Sequence, residues 1–457
     1  MNDIYPKVIR IGAVLAALAA LLAFVVRSAE AQVPAPRRLS LGDAARLAAA
    51  QTASVQSAQI RVQQAQSRVT QSRSSLLPQI EATPNWTSHT LNSASFGFNF
   101  PAEDGKPPLL KPEGQIIGPV NLWDFRGQVS QTLYDAAASQ RVRAARSNVD
   151  AASADVATVA EQSATNAAML YVRALRSDAT LQARSADSTL AADLVTIARD
   201  QLAAGVGVAL DVTRSLSQLA NARAQLIASR NDRDRSRLDL LRALNLDLGS
   251  PIELSDSLAS LPVSDAVTEQ GAVDVALRTR PDLRAADAQL TAIQQQLAVV
   301  RATRLPTVGA FANDGPTGIQ LNHLLNTYTY GVQLSWPIFE GGRREGQTQE
   351  QEAAARDVEV RRRDLRQQVS LDVRSAMLDI ASGREQVDAA RERLRFAEQE
   401  VEQARERFRA GVAGNADVIT ALSSLNSART GVVDALTAYQ SARVSLARAQ
   451  GTVSQLR

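Results

Sequence analysis

Side chains able to do chemistry are scarce in this 457-residue chain: it has two histidines, His89 and His323, and no cysteine. Composition therefore excludes thiol nucleophiles, disulfides and a lipid-modified cysteine. Neither histidine sits in an HExxH, a phosphate loop or a nucleophile elbow. Both fall in segments expected to be loops, and two exposed loop histidines make a poor metal site. No catalysis and no cofactor are expected. The residues that stand out are two aspartates, Asp211 in "QLAAGVGVALDVTRSLSQL" (201–219) and Asp417 in "RFRAGVAGNADVITALSSL" (407–425). Each follows a glycine-rich break in a helical stretch. A carboxylate where a helix restarts accepts from free backbone N–H groups, so both are expected as N-caps. Gly205, Gly207, Gly411 and Gly414 let the chain leave one helix and turn back.

These turns are placed by long helices. No proline occurs between Pro119 and Pro251 or after Pro337, and no glycine between Gly127 and Gly205. Ala, Arg, Gln, Leu and Glu fill these stretches, all good helix formers. They predict helices over about 136–203 and 343–409, each ~100 Å long. Helices of this length belong to coiled coils or helical tubes. Shorter helices are expected near 41–76 and 211–247, which end to end match one long helix. In the last helix, Leu425, Ala428, Val432, Ala435, Tyr439, Ala442, Leu446 and Ala449 form an apolar seam at spacings of three and four. Its counterpart is Leu219, Ala222, Leu226, Ser229, Arg233, Ser236, Leu240 and Ala243, with Arg233 the misfit.

The order of segments occurs twice. "VSQTLYD" (129–135) aligns with "LSWPIFE" (334–340), and Leu77-Pro78 with Leu305-Pro306. The domains are therefore a signal peptide, 1–31, a first repeat, 32–247, a linker, 248–266, and a second repeat, 267–457. Within the repeats lie strand pairs at about 78–134 and 305–339 and tips at 204–211 and 410–417. The leader is read from Lys7 and Arg10, the apolar run Ile11–Val26 and the small-residue pattern Ala29-Glu30-Ala31. It makes the chain an exported one. The net charge is +3 and stays near balance once the leader is gone, which gives no basis for nucleic-acid binding.

Most of the aromatics fall in the two strand windows, where the period changes from helical to two. Trp86 heads one apolar face; Trp123, Phe125, Val129 and Leu133 form another, alternating with Asp124, Arg126 and Gln128. Tyr330, Val332, Leu334, Trp336 and Ile338 alternate with Gln333 and its neighbours. A half-buried sheet of a soluble sandwich would also alternate. The Gln, Thr, Ser and Asn on the polar face and the aromatics at segment ends favour a transmembrane barrel with a wet interior. The first set then faces lipid, and Asp124, Arg126, Gln128 and Gln333 face the lumen. Four strands cannot close a barrel, so copies of the chain must share one.

This ordering, above all the pair "AGVGVALDV" and "AGVAGNADV" with the Leu-Pro after each first helix, resembles the outer membrane efflux protein family, the TolC-like channels. The resemblance covers about residues 40–450. It implies a mainly α fold: a long α-helical barrel in the periplasm continued by a shared twelve-stranded outer-membrane β-barrel, built by a homotrimer. It also implies a periplasmic adaptor docking at the glycine tips, and an inner-membrane pump, proton-driven or ABC-type. The function would be the exit duct of a tripartite efflux or type I secretion system. The alternative is a periplasmic coiled-coil adaptor or structural protein without a pore. Asp417, and Asp211 after it, would line the periplasmic aperture. Well-known members have an arginine four residues before the second aspartate and an acid three after it. Here those positions are Ala413 and Thr420, so the aperture is expected to be held differently or more loosely, by hydrogen bonding and by the adaptor.

Overall fold

The computed structural model describes residues 37–96, 113–259 and 268–456, so the expected signal segment lies outside the described residues. In chain order its elements are β1 (Arg37–Leu39), α1 (Leu41–Gln51), α2 (Ala53–Ser74), β2 (Gln79–Asn92), β3 (Ile116–Tyr134), α3 (Ala136–Ala203) and α4 (Ala209–Ala243). Then follow β4 (Ile252–Leu254), α5 (Glu269–Thr279), α6 (Pro281–Ala302), β5 (Thr307–Gly318), β6 (Leu325–Ser335), α7 (Arg343–Arg409) and α8 (Asn415–Gln450). Helices α3 and α7 run unbroken for 68 and 67 residues. Asp135 starts α3 by accepting from Ala138 N at 2.9 Å, satisfying one of the donors a helix start leaves free. Among the described residues no helix is long and apolar enough to cross a membrane.

The expected single helix over 41–76 is broken. Thr52 adopts an extended backbone (φ −65°, ψ 151°) between α1 and α2, and its hydroxyl donates to Ser163 Oγ on α3 at 3.1 Å. Arg280 makes the matching break before Pro281, where proline disfavours helical geometry in the preceding residue. The helices that meet end to end are α4 with α2 and α8 with α6. At the first junction Gln51 Nε2 donates to Leu244 O (3.0 Å) and Asn245 Nδ2 to Gln51 O (3.1 Å). At the second, Arg280 pairs with Asp282 (2.6 Å) and Asp372 (2.9 Å) and reaches Ala449 O (3.5 Å).

Helices α3 and α4 form one hairpin and α7 and α8 the other; α3 also packs on α2, α6 and α8, and α7 on α6. The result is a wall four helices wide. The heptad seams are its interior. Leu425, Ala428, Ala435, Tyr439, Ala442 and Ala449 are buried, as are Leu219, Ala222, Ser229, Ser236 and Leu240. Arg233, the misfit, is half-buried and paired with Asp234. Small residues set the closest approaches. A Cβ on Gly383 of α7 would stand 3.3 Å from Tyr439 Cα, and Ser177 and Ser236 share a buried 2.7 Å hydrogen bond.

A second core surrounds the middle of α3. Strand β1 pairs parallel with β4 of the linker, and Asp256 accepts from Leu41 N (2.8 Å) and from the Tyr171 hydroxyl (2.9 Å). Tyr171 is fully buried. Burial first, and the Asp256 carboxylate second, push its phenol well above the ordinary range, so it acts as a neutral donor. Val453, also buried, donates its N–H to Glu161 on α3 at 2.6 Å. Leu39, Tyr171, Leu244, Ile252 and Val453 thus share one cluster.

The remaining strands form one antiparallel sheet in the order β2-β3-β5-β6. They run further than the period-two windows indicate, so His89 is on β2 opposite Val120 rather than in a loop. His323 lies in the turn joining β5 to β6.

Candidate functional site

Strand register assigns the faces of the sheet. Trp86 stands opposite Trp123 and Ile80 opposite Val129; Val129 faces Ala312. Ala312 in turn faces Tyr330, Ala310 faces Val332 and Val308 faces Leu334. With Phe125 opposite Pro84, these residues share one apolar surface. The Trp86 and Trp123 rings lie 5.8 Å apart. Ile80, Tyr330 and Val332 are 81%, 77% and 69% exposed, a face that a water-soluble chain would have to cover.

The other surface is polar. Glu81 faces Gln128, Thr83 faces Arg126 and Asn85 faces Asp124; Gln128 faces Asn313, and Gln333 stands opposite Gly309. Asp124 and Arg126 pair along their own strand at 2.8 Å.

Three expected apolar-face residues are placed differently. A register shift between Thr132 and Tyr134 leaves Leu133 at a bulge and puts Tyr134 opposite Val308. Trp336 and Ile338 lie beyond the end of β6, because Pro337 has no N–H for the ladder. Two residues depart from the pattern without a periodic signal. Phe311 is on the polar face, its ring over Gly331. Asp314 is on the apolar face opposite Tyr328, where Asn326 Nδ2 donates to it at 2.9 Å.

At the far end of the helices, the two turns are built alike. Gly205 and Gly411 have φ of 74° and 72°, the left-handed geometry that ends a helix. Val206 N donates to Gln201 O (3.1 Å) and Val412 N to Arg407 O (3.0 Å). Gly207 packs against Gln201, whereas Gly414 has ordinary extended geometry and open space around it. Gly411→Ala should therefore cost the tip about 1–2 kcal/mol, read as faster amide exchange around the turn. Gly414→Ala should leave exchange there unchanged.

Neither aspartate is an N-cap. Helix α4 begins at Ala209 after Val208, and α8 at Asn415 after Gly414, with no side-chain cap at either. Asp211 and Asp417 instead occupy the first helical turn, where a carboxylate still complements the helix dipole. Asp417 is exposed, while Asp211 is half-buried and 3.9 Å from Arg214.

The residue that joins the tips is Asn415. It is fully buried, and its Nδ2 donates to Asp211 O and Ser215 Oγ, both at 2.8 Å. Ser215, also fully buried, donates to Asp211 O at 2.8 Å. Between the outgoing helices, Gln201 Nε2 donates to Phe408 O. One signal in the sequence marks Asn415: where the second motif carries it, the first carries Ala209. Outside these ties the turns are apolar and open, with Val206, Val208, Leu210 and Val412 exposed.

Known proteins share this architecture. The CmeC outer membrane channel of Campylobacter jejuni superposes with a TM-score of 0.72 at 17% identity, covering 90% of this chain and 85% of that one. In sequence, the chain is 26% identical to CyaE of Bordetella pertussis over 303 residues, 65% of this chain and 64% of CyaE. It is 25% identical to the probable efflux pump outer membrane protein TtgC of Pseudomonas putida over 261 residues, 54% of this chain and 51% of TtgC. The chain thus spans about half to two thirds of these relatives. The sequence profile described as Outer membrane efflux protein matches residues 44–246 and 272–452. The chain belongs to the outer membrane efflux protein family.

Proposed function

We propose that three copies of this chain form an outer-membrane exit duct for a tripartite efflux or type I secretion machine. The observation that carries this is the sheet. It has one apolar and one polar face and two open edges, β2 and β6, above hairpins ~100 Å long. Twelve strands from three copies would close it. From Trp123 to Tyr134 the apolar band runs ~35 Å along β3, which at a tilt of ~45° gives the ~25 Å height of an outer-membrane barrel. The lipid-facing residues are then Trp86, Trp123, Phe125, Val129, Tyr330, Val332 and Leu334, and the lumen is lined by Asp124, Arg126, Gln128 and Gln333. The two halves act as internal repeats that double the helices and strands each copy supplies. A periplasmic adaptor docks on the turns at Gly205, Gly207, Gly411 and Gly414, covering Val206, Val208, Leu210 and Val412. An inner-membrane pump supplies the energy.

Exposed Asp417 then forms a ring of like charges at the periplasmic aperture, where unpaired carboxylates repel one another and attract cations. The expected result for Asp417→Ala, in planar bilayers, is a higher single-channel conductance or weaker block by divalent cations, with trimer assembly intact. Asp211→Ala, at a half-buried position, should do less. Unchanged conductance and block together with reduced thermal stability would make Asp417 a helix-start residue with no aperture role. Protein recovered without detergent as a soluble species would overturn the duct itself.

A further inference from the structure

The two strand-to-helix connections differ in a way the duct does not require. In the first half β3 continues to Tyr134, and Asp135 at once caps α3. In the second half the aligned residues Pro337, Phe339 and Gly341-Gly342 form neither strand nor helix. Pro337 cannot donate to the ladder. Gly341 and Gly342, with φ of 61° and 83°, delay α7 until Arg343.

The resulting loop is held from below. Buried Arg344 donates to Pro337 O at 3.0 Å and pairs with Glu340 at 3.0 Å, and Arg343 pairs with the same carboxylate. Trp336 Nε1 donates to Arg304 O at 3.2 Å. Held this way, the loop presents Ile338 and Phe339 at 81% and 87% exposure, the most exposed large apolar side chains among the described residues together with Ile80.

We infer that this loop is a lipid-inserting foot seated in the periplasmic leaflet. Ile338 and Phe339 enter the boundary between headgroups and acyl chains, and the exposed guanidinium of Arg343 lies at phosphate level. The inference rests on the outer-membrane reading of the sheet. Two observations favour phospholipid as the occupant. The loop continues the apolar face directly from Leu334 at the end of β6, and around it Arg304, Arg343 and Arg344 outnumber the two carboxylates they pair with, Glu345 and Glu340. Apolar tips bordered by arginine are suited to an anionic interface. The foot exists once per chain, on the second half only.

The chain has no cysteine, so a single introduced thiol reports one position. Phe339→Cys, Tyr330→Cys and Leu378→Cys, each carrying an environment-sensitive fluorophore, are reconstituted in phosphatidylethanolamine–phosphatidylglycerol nanodiscs. Nitroxide lipids, shallow or deep, and aqueous iodide serve as quenchers. The label at 339 should be quenched several-fold more by shallow than by deep nitroxide, the label at 330 by deep nitroxide, and the label at 378, on α7, by neither lipid. If 330 is quenched by lipid but 339 only by iodide, the foot is wrong and the barrel reading stands. If 339 is shielded from both lipid and iodide, a second copy covers the loop and the inference fails. If 330 is also inaccessible to lipid, the barrel reading fails with it. Ile338→Cys serves as the second variant should Phe339→Cys not fold.

Discussion

Val332→Arg should abolish insertion. Val332 lies on the apolar face opposite Ala310 and is exposed in the isolated chain. A guanidinium at mid-membrane depth on the lipid side of a barrel costs about 2–4 kcal/mol, and three copies would each bear it. Cells making the variant should show no detergent-extractable oligomer in the outer-membrane fraction. Gln333→Arg, one residue along on the polar face, adds the same charge to a wet surface and should assemble normally. Equal tolerance of both substitutions would mean that the apolar face is covered by protein.

Asn415→Ala should open the tip. The side chain makes two hydrogen bonds from a fully buried position to α4, and loss of such bonds costs about 1–3 kcal/mol. If this tie holds the second hairpin against the first in the closed aperture, losing ~1.4 kcal/mol from that arrangement raises the open-to-closed ratio about tenfold. The measurement is open probability in planar bilayers, with sensitivity of cells to large antibiotics as a second readout. Asn415→Asp keeps the size but sets a carboxylate against the Asp211 carbonyl, so it should open the channel as well. Unaltered gating in both variants would leave Asn415 as a packing residue.

Much of this was legible because its signals are local. The bounds of α3 follow from where proline and glycine are absent and those of α7 from the absence of proline after Pro337, and both helices end at glycines that take a left-handed geometry. The faces of the sheet follow from period two as far as Thr132. Beyond it a bulge, which has no local signature, shifts Leu133 and Tyr134. The break at Thr52 was also hidden: neither proline nor glycine marks it, and its cause is tertiary, including the hydroxyl bond to Ser163. Asp211 and Asp417 are not caps because the helices begin earlier, at Ala209 and Asn415, behind Val208 and Gly414, which have no capping side chain. Asn415 looks in sequence like one more turn residue. Its burial depends on the other hairpin arriving beside it.

The core around Tyr171 bears on biogenesis. Gly42 packs under the Leu456 carbonyl, which also accepts from Arg46 across a sequence separation of 410 residues. Contacts this distant form late, because the entropy of closing so long a loop must be met first. Each hairpin can zip up from its own glycine turn with local contacts. The girdle around Tyr171 stays incomplete until Val453 has been delivered across the inner membrane. A chain cut short during export would therefore carry finished hairpins and an open waist, with Tyr171 and Glu161 in water. That state hands periplasmic proteases an exposed seam by which to tell partial chains from whole ones.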